Sequence, residues 1–357
     1  MNTKDIAPIL RGLTFSKNSR SIVHSTPMLD NPDLICEASD INELFKKEYR
    51  SVNINNVGGF LLGEDYDDAV NQKDNSPLAT GRDAIIHNSV CVVTGGAQGF
   101  GEGIVRGLVD YGAHVFIADI NLDGANKLAN ELNQIKKRTI AFGIHCDVTD
   151  ELSVEKMVSD IVHEVGGIDT FISNAGVLKA GSVKSLSKAD FELVTNVNYL
   201  GFFLCTKYVA SIMEKMNSTN PFFKTDIINI ASKSALEGSN RNAAYAGSKF
   251  GAVGLTQSFA KELIEDNIKV NTVCPGNYFD GPLWSDPKTG LFVQYLNSGK
   301  VPGAKTIEDV KLFYENQIPM LRGCECEDLI VAILYLIEQQ YETGQALPVT
   351  GGQVMLN

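Results

Sequence analysis

"SVCVVTGGAQGFGEGIVRGL", residues 89–108, decides the fold. A short β-rich run ends at Thr94 in a glycine-rich turn, and the turn opens directly into a helical pattern. Gly95, Gly99 and Gly101 let the backbone turn tightly and approach a pyrophosphate, whose charge would meet free N–H groups and the positive end of the helix. The spacing, Thr-Gly-x-x-x-Gly-x-Gly, differs from the G-x-G-x-x-G dinucleotide fingerprint. A tight strand-to-helix turn that binds nothing is the competing reading. Asp119 weighs against it: this carboxylate ends the next β-rich run, about 20 residues downstream, where it can accept hydrogen bonds from ribose hydroxyls.

The same carboxylate repels a 2′-phosphate, and Ala97, Gln98, Ile120 and Asn121 offer no cation to offset it. NAD is therefore favoured over NADP. Gln98, Phe100, Ile120 and Val148 complete the cofactor contacts expected along these turns. Asp147 is placed either to meet the adenine amine or to cap a helix together with Thr149.

Outward from this turn, β-rich runs alternate with helical patterns. We read strands at 89–96, 114–120, 139–148, 169–176, 226–232, 268–275 and 346–352. Alternation of this kind predicts an α/β chain with a doubly wound, parallel, seven-stranded sheet of the Rossmann type. Val154, Met157, Val158, Ile161 and Val162 keep helical spacing after the capping residues of "DVTDELS". Residues 277–322, with Trp284 and two Pro-Gly-rich turns, interrupt the pattern where a substrate lid would sit. Residues 1–88 do not follow it and read either as an accessory extension on the core or on a neighbouring subunit or as partly disordered, preceding an α/β domain over 89–357. Within the extension the sequence predicts one amphipathic helix over 40–51, short strands at 51–55 and 58–65, and a linker over 71–81.

A formal net charge of −12 in 357 residues argues against nucleic acid or an anionic membrane as a main partner, because both require a basic face. No apolar run approaches the roughly 20 residues of a membrane span. Seven cysteines, scattered except for Cys324 and Cys326, do not form a disulfide framework, and that pair reads as structural. Histidines at 24, 87, 114, 145 and 163 show no metal-ligand spacing, so no metal is expected. With no signal-peptide pattern in "MNTKDIAPIL", a soluble cytoplasmic protein is the expectation.

The chemistry centres on "AAYAGSKFG", residues 243–251. Residues four apart share a helix face, so Tyr245 and Lys249 can approach each other. At about 4 Å and an effective dielectric near ~20, an ammonium stabilises a phenolate by about 4 kcal/mol. At about 1.36 kcal/mol per unit, that moves a tyrosine pKa from ~10 toward ~7, within reach of general acid–base work. Taken alone the pair is an ordinary surface arrangement. Ser232, ending a strand thirteen residues earlier, supplies a hydroxyl at the ligand-binding edge of the sheet.

Together these residues resemble the short-chain dehydrogenases/reductases, over about residues 89–357. "TGGAQGFG" is similar to that family's cofactor turn, "SNAG" (173–176) to its Asn-Asn-Ala-Gly turn, "VNYLGFF" (197–203) to its catalytic-asparagine helix and "VCPGN" (273–277) to its post-strand Pro-Gly. The resemblance implies that Tyr245 is the acid/base and that Ser232 orients and polarises the carbonyl or hydroxyl. It implies that Lys249 lowers the tyrosine pKa and holds the nicotinamide ribose, that Asn198 holds a relay water, and that Asn174 shapes the cofactor wall. It also implies a homo-oligomer, dimer or tetramer, paired through the helix near 190–216 and the tyrosine helix. Two departures stand out: Ser173 replaces the first asparagine of the turn, and Asp280 stands where a threonine would help hold the nicotinamide amide.

"CPGNYFDGPLW", "QIPMLRGCECEDL" and "TGQALPVTGGQVM" resemble a branch that includes sorbitol-6-phosphate 2-dehydrogenases and similar polyol enzymes. The substrate implied is a secondary alcohol or ketone, such as a polyol phosphate. Arg241 and Arg322 are the preferred phosphate donors, since a guanidinium fork suits phosphate, ahead of Lys288, Lys300, Lys305 and Lys311. Reduction of a carrier-bound 3-oxoacyl chain is the alternative chemistry. An NAD-binding interaction or sensor module is the alternative of another class.

Overall fold

The computed structural model describes residues 2–15, 21–71, 81–220, 224–288, 290–297 and 299–355. Two sheets are built from it. The smaller lies in the N-terminal region, where helix α1 (Thr3–Thr14) precedes strands β1 (Ile22–Thr26) and β2 (Leu34–Cys36), the short helix α2 (Ile41–Leu44), β3 (Ser51–Ile54), β4 (Gly58–Gly63) and helix α3 (Tyr66–Asn71). Its order is β1-β4-β3-β2, with β4 antiparallel to both neighbours and β2 parallel to β3.

The predicted strands at 51–55 and 58–65 are β3 and β4, but the helix predicted over 40–51 stops after Leu44. Phe45 is already extended (ψ 135°), and the Asp33 carboxylate accepts from the N–H groups of Arg50 and Ser51 at 2.7 and 2.9 Å. Sheet pairing of Ser51 thus competes for donors that a longer helix would use. Phe45 and Tyr49 nevertheless keep their apolar contact with the core. The predicted linker lies, from 72 to 80, outside the described residues.

From β5 (Val90–Thr94) the chain alternates: α4 (Gly99–Asp110), β6 (His114–Asp119), α5 (Leu122–Lys136), β7 (Ala141–His145), α6 (Glu151–Val165), β8 (Thr170–Ser173), α7 (Lys188–Thr195), α8 (Gly201–Asn217), β9 (Thr225–Ile230), α9 (Ala243–Leu263) and β10 (Ile268–Pro275). Three further helices follow, α10 (Pro282–Ser285), α11 (Leu291–Asn297) and α12 (Ile307–Glu315), then α13 (Cys326–Glu338) and the edge strand β11 (Ala346–Val349). Seven strands pair in parallel in the order β11-β10-β9-β8-β5-β6-β7, the doubly wound sheet expected from the alternation. Every residue of β5, β6, β8, β9 and β10 is buried, as a sheet covered on both faces requires. The order reverses at β5, between β6 and β8, so the ligand crevice opens above the carboxyl end of β5.

One face of this sheet packs on α4, α5 and α13 through Ile104, Leu108, Leu128 and Ile333. The other packs on α6 and α8 through Met157, Ile161, Phe202 and Met213, and Ile6, Leu10, Ile22, Val23, Phe60 and Leu62 of the N-terminal region join that same cluster. Each such side chain removed from water contributes about 1.5–3 kcal/mol. Helix α1 approaches α8 closely at Gly12, where a Cβ would stand 2.1 Å from Thr219 Oγ1 and 2.2 Å from the Met216 carbonyl oxygen.

Polar contacts fix where the extension sits. Arg11 pairs with Asp169 at 2.6 Å, both buried, and Asp169 also accepts from the Val90 N–H. The Tyr66 N–H donates to His114 Nε2 at 3.2 Å, and the Thr139 N–H donates to Asp67 at 2.9 Å. Asp169, Val90, His114 and Thr139 all stand at the starts of β8, β5, β6 and β7. The extension therefore covers the amino-terminal edge of the sheet, opposite the crevice.

Candidate active site

The glycine turn joins β5 to α4. Gly95 and Gly99 adopt φ of 61° and 60°, a region open to glycine and unfavourable for other residues. At Gly101 a Cβ would lie 2.0 Å from the Gly95 carbonyl oxygen and 2.6 Å from Asn174 Nδ2, so only hydrogen fits. Gln98 is the N-cap of α4 but makes no capping hydrogen bond with its side chain, which leaves the first-turn N–H groups available to an anion.

Asp119 is buried at the end of β6. Its two oxygens accept from the N–H groups of Ala97 and Asn121 at 3.0 and 2.9 Å, which ties the glycine turn to the end of β6. Each oxygen keeps a further acceptor site. Asp147 does not cap the helix: its Oδ1 accepts from both the N–H and the hydroxyl of Thr149 in a local turn, and the N-cap of α6 is Asp150, whose carboxylate accepts from the Leu152 N–H. Asn174, just past β8, donates to the carbonyls of Thr94 and Gly95 at 3.0 and 3.1 Å. Thr94, which sequence reasoning did not single out, completes this clasp: its hydroxyl accepts from the N–H groups of Asn174 and Ala175. Its place directly before Gly95 was the only signal available.

Asn198 lies in a π-helical turn, Asn196–Leu200, between α7 and α8. Such a bulge rotates side chains off the regular helical register and recurs at functional sites. Its carboxamide accepts from the Val177 N–H at 2.8 Å and donates to the Val177 carbonyl and to Ser248 Oγ, whose own hydrogen goes to the Tyr245 carbonyl. Ser248 was likewise not foreseen. The space beside Gly176 is bounded by Asn198 Oδ1 and Lys249 Nζ, 3.4 and 3.6 Å from where a Cβ would stand. Asn198 and Lys249 therefore meet at the carboxyl edge.

Ser232 follows β9 and opens the short 3₁₀ turn Lys233–Ala235, its hydroxyl accepting from the Ser234 N–H. It also hydrogen-bonds Tyr245 of α9. Lys249, 4% exposed, donates to the Ile230 carbonyl at 2.8 Å and stands 5.8 Å from the centre of the Tyr245 ring. The quartet of Asn198, Ser232, Tyr245 and Lys249 is thus brought together.

Its electrostatics differ from the spacing argument. Burial pushes the Tyr245 phenol above its ordinary range, opposed by the Ser232 hydrogen bond. Burial also holds Lys249 down to about 8, so the ammonium is itself desolvated and is spent partly on a carbonyl. Cys274 of β10 packs beside them with its thiol pushed up to about 12 by burial, which keeps it neutral and inert.

Helices α10, α11 and α12, with Phe279 before them, share a cluster of their own of Phe279, Trp284, Phe292, Tyr295 and Val310. Tyr278 stacks on Phe100 of the glycine turn with centroids 4.5 Å apart. Asp280 is 77% exposed and lies 3.8 Å from Lys311 on α12. Arg322 is held by Asp328 through two hydrogen bonds of 2.7 and 2.9 Å, so its fork is already engaged. Cys326 fills the space beside Gly103 of α4, and Cys324 is buried near Gly276. Among the described residues no cluster of His, Cys, Asp and Glu could hold a metal ion.

The arrangement matches known proteins. The family model described as short chain dehydrogenase matches residues 89–284. Sorbitol-6-phosphate 2-dehydrogenase of Escherichia coli (strain K12) is 34% identical over 270 residues, 75% of this chain and 99% of that protein. The chain belongs to the short-chain dehydrogenase family. It is an oxidoreductase acting on CH–OH donors.

Other short-chain dehydrogenases place it further. A 3-oxoacyl-[acyl-carrier-protein] reductase of Thermotoga maritima is 28% identical over 76% of this chain and 99% of its own. Among solved structures, sorbitol-6-phosphate 2-dehydrogenase from Erwinia amylovora is 36% identical and superimposes with a TM-score of 0.69, covering 74% of this chain and all of its own. A 3-ketoacyl-(acyl-carrier-protein) reductase from Brucella melitensis, complexed with NADH, is 25% identical with a TM-score of 0.63, covering 75% of this chain and 98% of its own. These relatives are matched over nearly their full length, and about a quarter of this chain has no counterpart in them. No helix among the described residues is long and apolar enough to cross a membrane.

Proposed function

We propose that this short-chain dehydrogenase uses NAD to interconvert a secondary alcohol and a ketone, with a polyol or sugar-alcohol phosphate such as sorbitol 6-phosphate as substrate. The observation that carries the reading is the meeting of Asn198, Ser232, Tyr245 and Lys249 at the carboxyl edge, beside a glycine turn whose far side ends at Asp119. The similarity to sorbitol-6-phosphate 2-dehydrogenases over three quarters of the chain supports the substrate class.

The residues present fit a dinucleotide. The uncapped first turn of α4 and the close glycines take the pyrophosphate, Asp119 takes the ribose hydroxyls, and Asp147 with Val148 lies toward the adenine. A buried carboxylate at that ribose disfavours a 2′-phosphate, hence NAD over NADP. Gln98, Phe100 and Ile120 line the same turns, and Asn174 holds their base. When bound, the nicotinamide supplies the hydride acceptor or donor.

Everything else falls to the chain. Ser232 holds the substrate oxygen through its hydroxyl and orders Tyr245, which as phenolate takes the carbinol proton on oxidation and as phenol returns it on reduction. Lys249, anchored on Ile230, faces the ribose side and contributes positive charge to the phenolate. Asn198 pins Val177 and, through Ser248, the first turn of α9, and so fixes the path by which the proton reaches bulk water.

The protein acts as a homo-oligomer through α7, α8 and α9, whose Phe191, Leu200, Phe203 and Phe250 are exposed. Residues 1–88 act as a brace on the opposite edge of the sheet. Carrier-bound 3-oxoacyl reduction is the second reading, favoured by the similarity to the two acyl-carrier-protein reductases; Asp119 and the chain's acidity weigh against it. A pure NAD-binding module has no use for all four residues of the quartet.

Initial rates of NADH formation with free and phosphorylated polyols test the reading. Tyr245→Phe should lower kcat by about 10²- to 10⁴-fold. Turnover confined to a 3-oxoacyl thioester sinks the polyol assignment, and full activity in Tyr245→Phe sinks the acid/base assignment.

A further inference from the structure

The reacting quartet leaves open what holds the far end of the substrate, and the charges nearest it supply an answer. Three cations from three segments lie near one another: Lys233, directly after Ser232 in the chain, Arg241, four residues before Tyr245, and Lys300, which follows α11. Packing brings Lys300 there. Tyr295 of α11 is buried against the Asn242 side chain, and Lys300 Nζ lies 3.7 Å from the centre of the Tyr295 ring. Burial, joined by the charges of Arg241 and Lys233, holds the Lys300 ammonium below its ordinary range.

Arg241 is fixed rather than adrift. Its φ of 60° is uncommon for a residue with a side chain, and its carbonyl accepts from the Gly181 N–H at 2.8 Å while Asn242 bridges to Gly181. Lys233 shares its charge with Glu237 at 3.3 Å. Among the described residues no carboxylate forms an ion pair with Lys300 or Arg241, in a chain whose net charge is −12. Two like charges, Lys300 and Arg241, placed together with no carboxylate ion pair of their own in an acidic protein favour an anion between them. Arg322, the other guanidinium expected to take phosphate, is already paired with Asp328.

We propose that Lys300 and Arg241, with Lys233 behind them, bind the phosphate monoester of the substrate while Ser232 and Tyr245 hold its reacting carbinol. This rests on the polyol-phosphate reading above. The Arg241 fork suits two phosphate oxygens, and the Lys300 ammonium supplies a point charge from the lid. Specificity for phosphorylated over free polyol then lies in Lys300 and Arg241, outside the reacting quartet.

Initial rates of the full-length protein with NAD, on sorbitol 6-phosphate and on sorbitol, test this with Lys300→Met, Arg241→Gln and Lys300→Arg beside the wild type. The ratio of kcat/KM for the phosphorylated over the free polyol should fall about 10- to 100-fold in Lys300→Met and in Arg241→Gln, chiefly through KM, with recovery in Lys300→Arg. A wild type that prefers the phosphate, with both ratios unchanged within about twofold, overturns the site and leaves the polyol-phosphate reading standing. A wild type that does not oxidise sorbitol 6-phosphate overturns that reading instead. Calorimetric titration with inorganic phosphate then decides the anion site by itself: binding lost in Lys300→Met supports it, and absent or equal binding overturns it.

Discussion

Replacing Arg11 by methionine removes the charge that joins the N-terminal helix to the sheet while keeping most of the side-chain volume. Arg11 Nη2 lies 2.6 Å from Asp169, with the two side chains 2% and 3% exposed, and Arg11 Nη1 donates to the Ser21 and Val165 carbonyls. Without it, Asp169 keeps the Val90 N–H at 2.7 Å but loses its buried countercharge. Breaking one side of a buried pair costs about 3–5 kcal/mol, and the two carbonyls add a desolvation cost of about 1–3 kcal/mol each where water cannot reach them. Arg11→Met should therefore lose at least about 3 kcal/mol, a large part of the roughly 5–15 kcal/mol that holds a domain folded. Denaturant unfolding followed by circular dichroism reads this as a lower midpoint at unchanged slope. The double variant Arg11→Met with Asp169→Asn should regain part of the loss, because the buried carboxylate that faced the guanidinium is no longer charged. Since Asp169 starts β8 at the edge opposite the crevice, KM for NAD in the folded protein should stay at the wild-type value. A loss below about 1 kcal/mol for Arg11→Met would refute the claim that this pair fastens the extension.

Further expectations concern groups whose surroundings are equally plain. His114 is fully buried, and burial keeps its imidazole neutral down to about 3. An unfolded imidazole titrates near ~6.5, so between these values the unfolded chain binds the extra proton and stability falls with falling pH by about 1.4 kcal/mol per unit. His114→Gln, which can still accept from the Tyr66 N–H, should flatten that slope in denaturant midpoints taken across the acid range. Gly101→Ala places a methyl on the Gly95 carbonyl and should weaken NAD binding at least about tenfold by fluorescence titration, with a smaller effect on the fold. Asp119→Ala frees the Ala97 and Asn121 N–H groups and should raise KM for NAD while narrowing the preference over NADP.

The core of the fold was legible because each βαβ unit repeats one pattern, and all seven predicted runs are strands of one sheet, β10 with the predicted bounds 268–275 and the others ending before their predicted last residue. The quartet was legible for a different reason: its chemistry needs particular residue types at particular strand and helix ends. The extension was not. Helix α1 was missed, with Pro8 inside it interrupting the backbone donors on which helical patterns depend. Strands β1 and β2 are short, and nothing in "SIVHST" says that its partner is residues 59–63. Asp33, which ends the 40–51 helix early, acts from outside the stretch it controls. The phosphate donors divide the same way, since Arg322 looks free in sequence until Asp328 is seen beside it.

The pKa of Tyr245 shows where spacing stops being enough. One helical turn from tyrosine to lysine fixes a direction of approach, and Coulomb's law at a moderate dielectric turns that approach into a lowered pKa. The burial that strengthens the interaction also penalises both charges, and the structure resolves that competition against ionisation: the Tyr245 phenol is pushed up and Lys249 down to about 8. Lys249 is moreover turned to the Ile230 carbonyl, 5.8 Å from the ring centre, where its pull on the phenol oxygen is weak. In the protein alone Tyr245 should therefore titrate above ~10, read as the difference in tyrosinate absorbance between wild type and Tyr245→Phe. NAD, carrying a positive ring into the same crevice, should bring that titration down. A Tyr245 that ionises near ~7 without NAD would mean that lysine alone suffices, and that burial had been weighed too heavily.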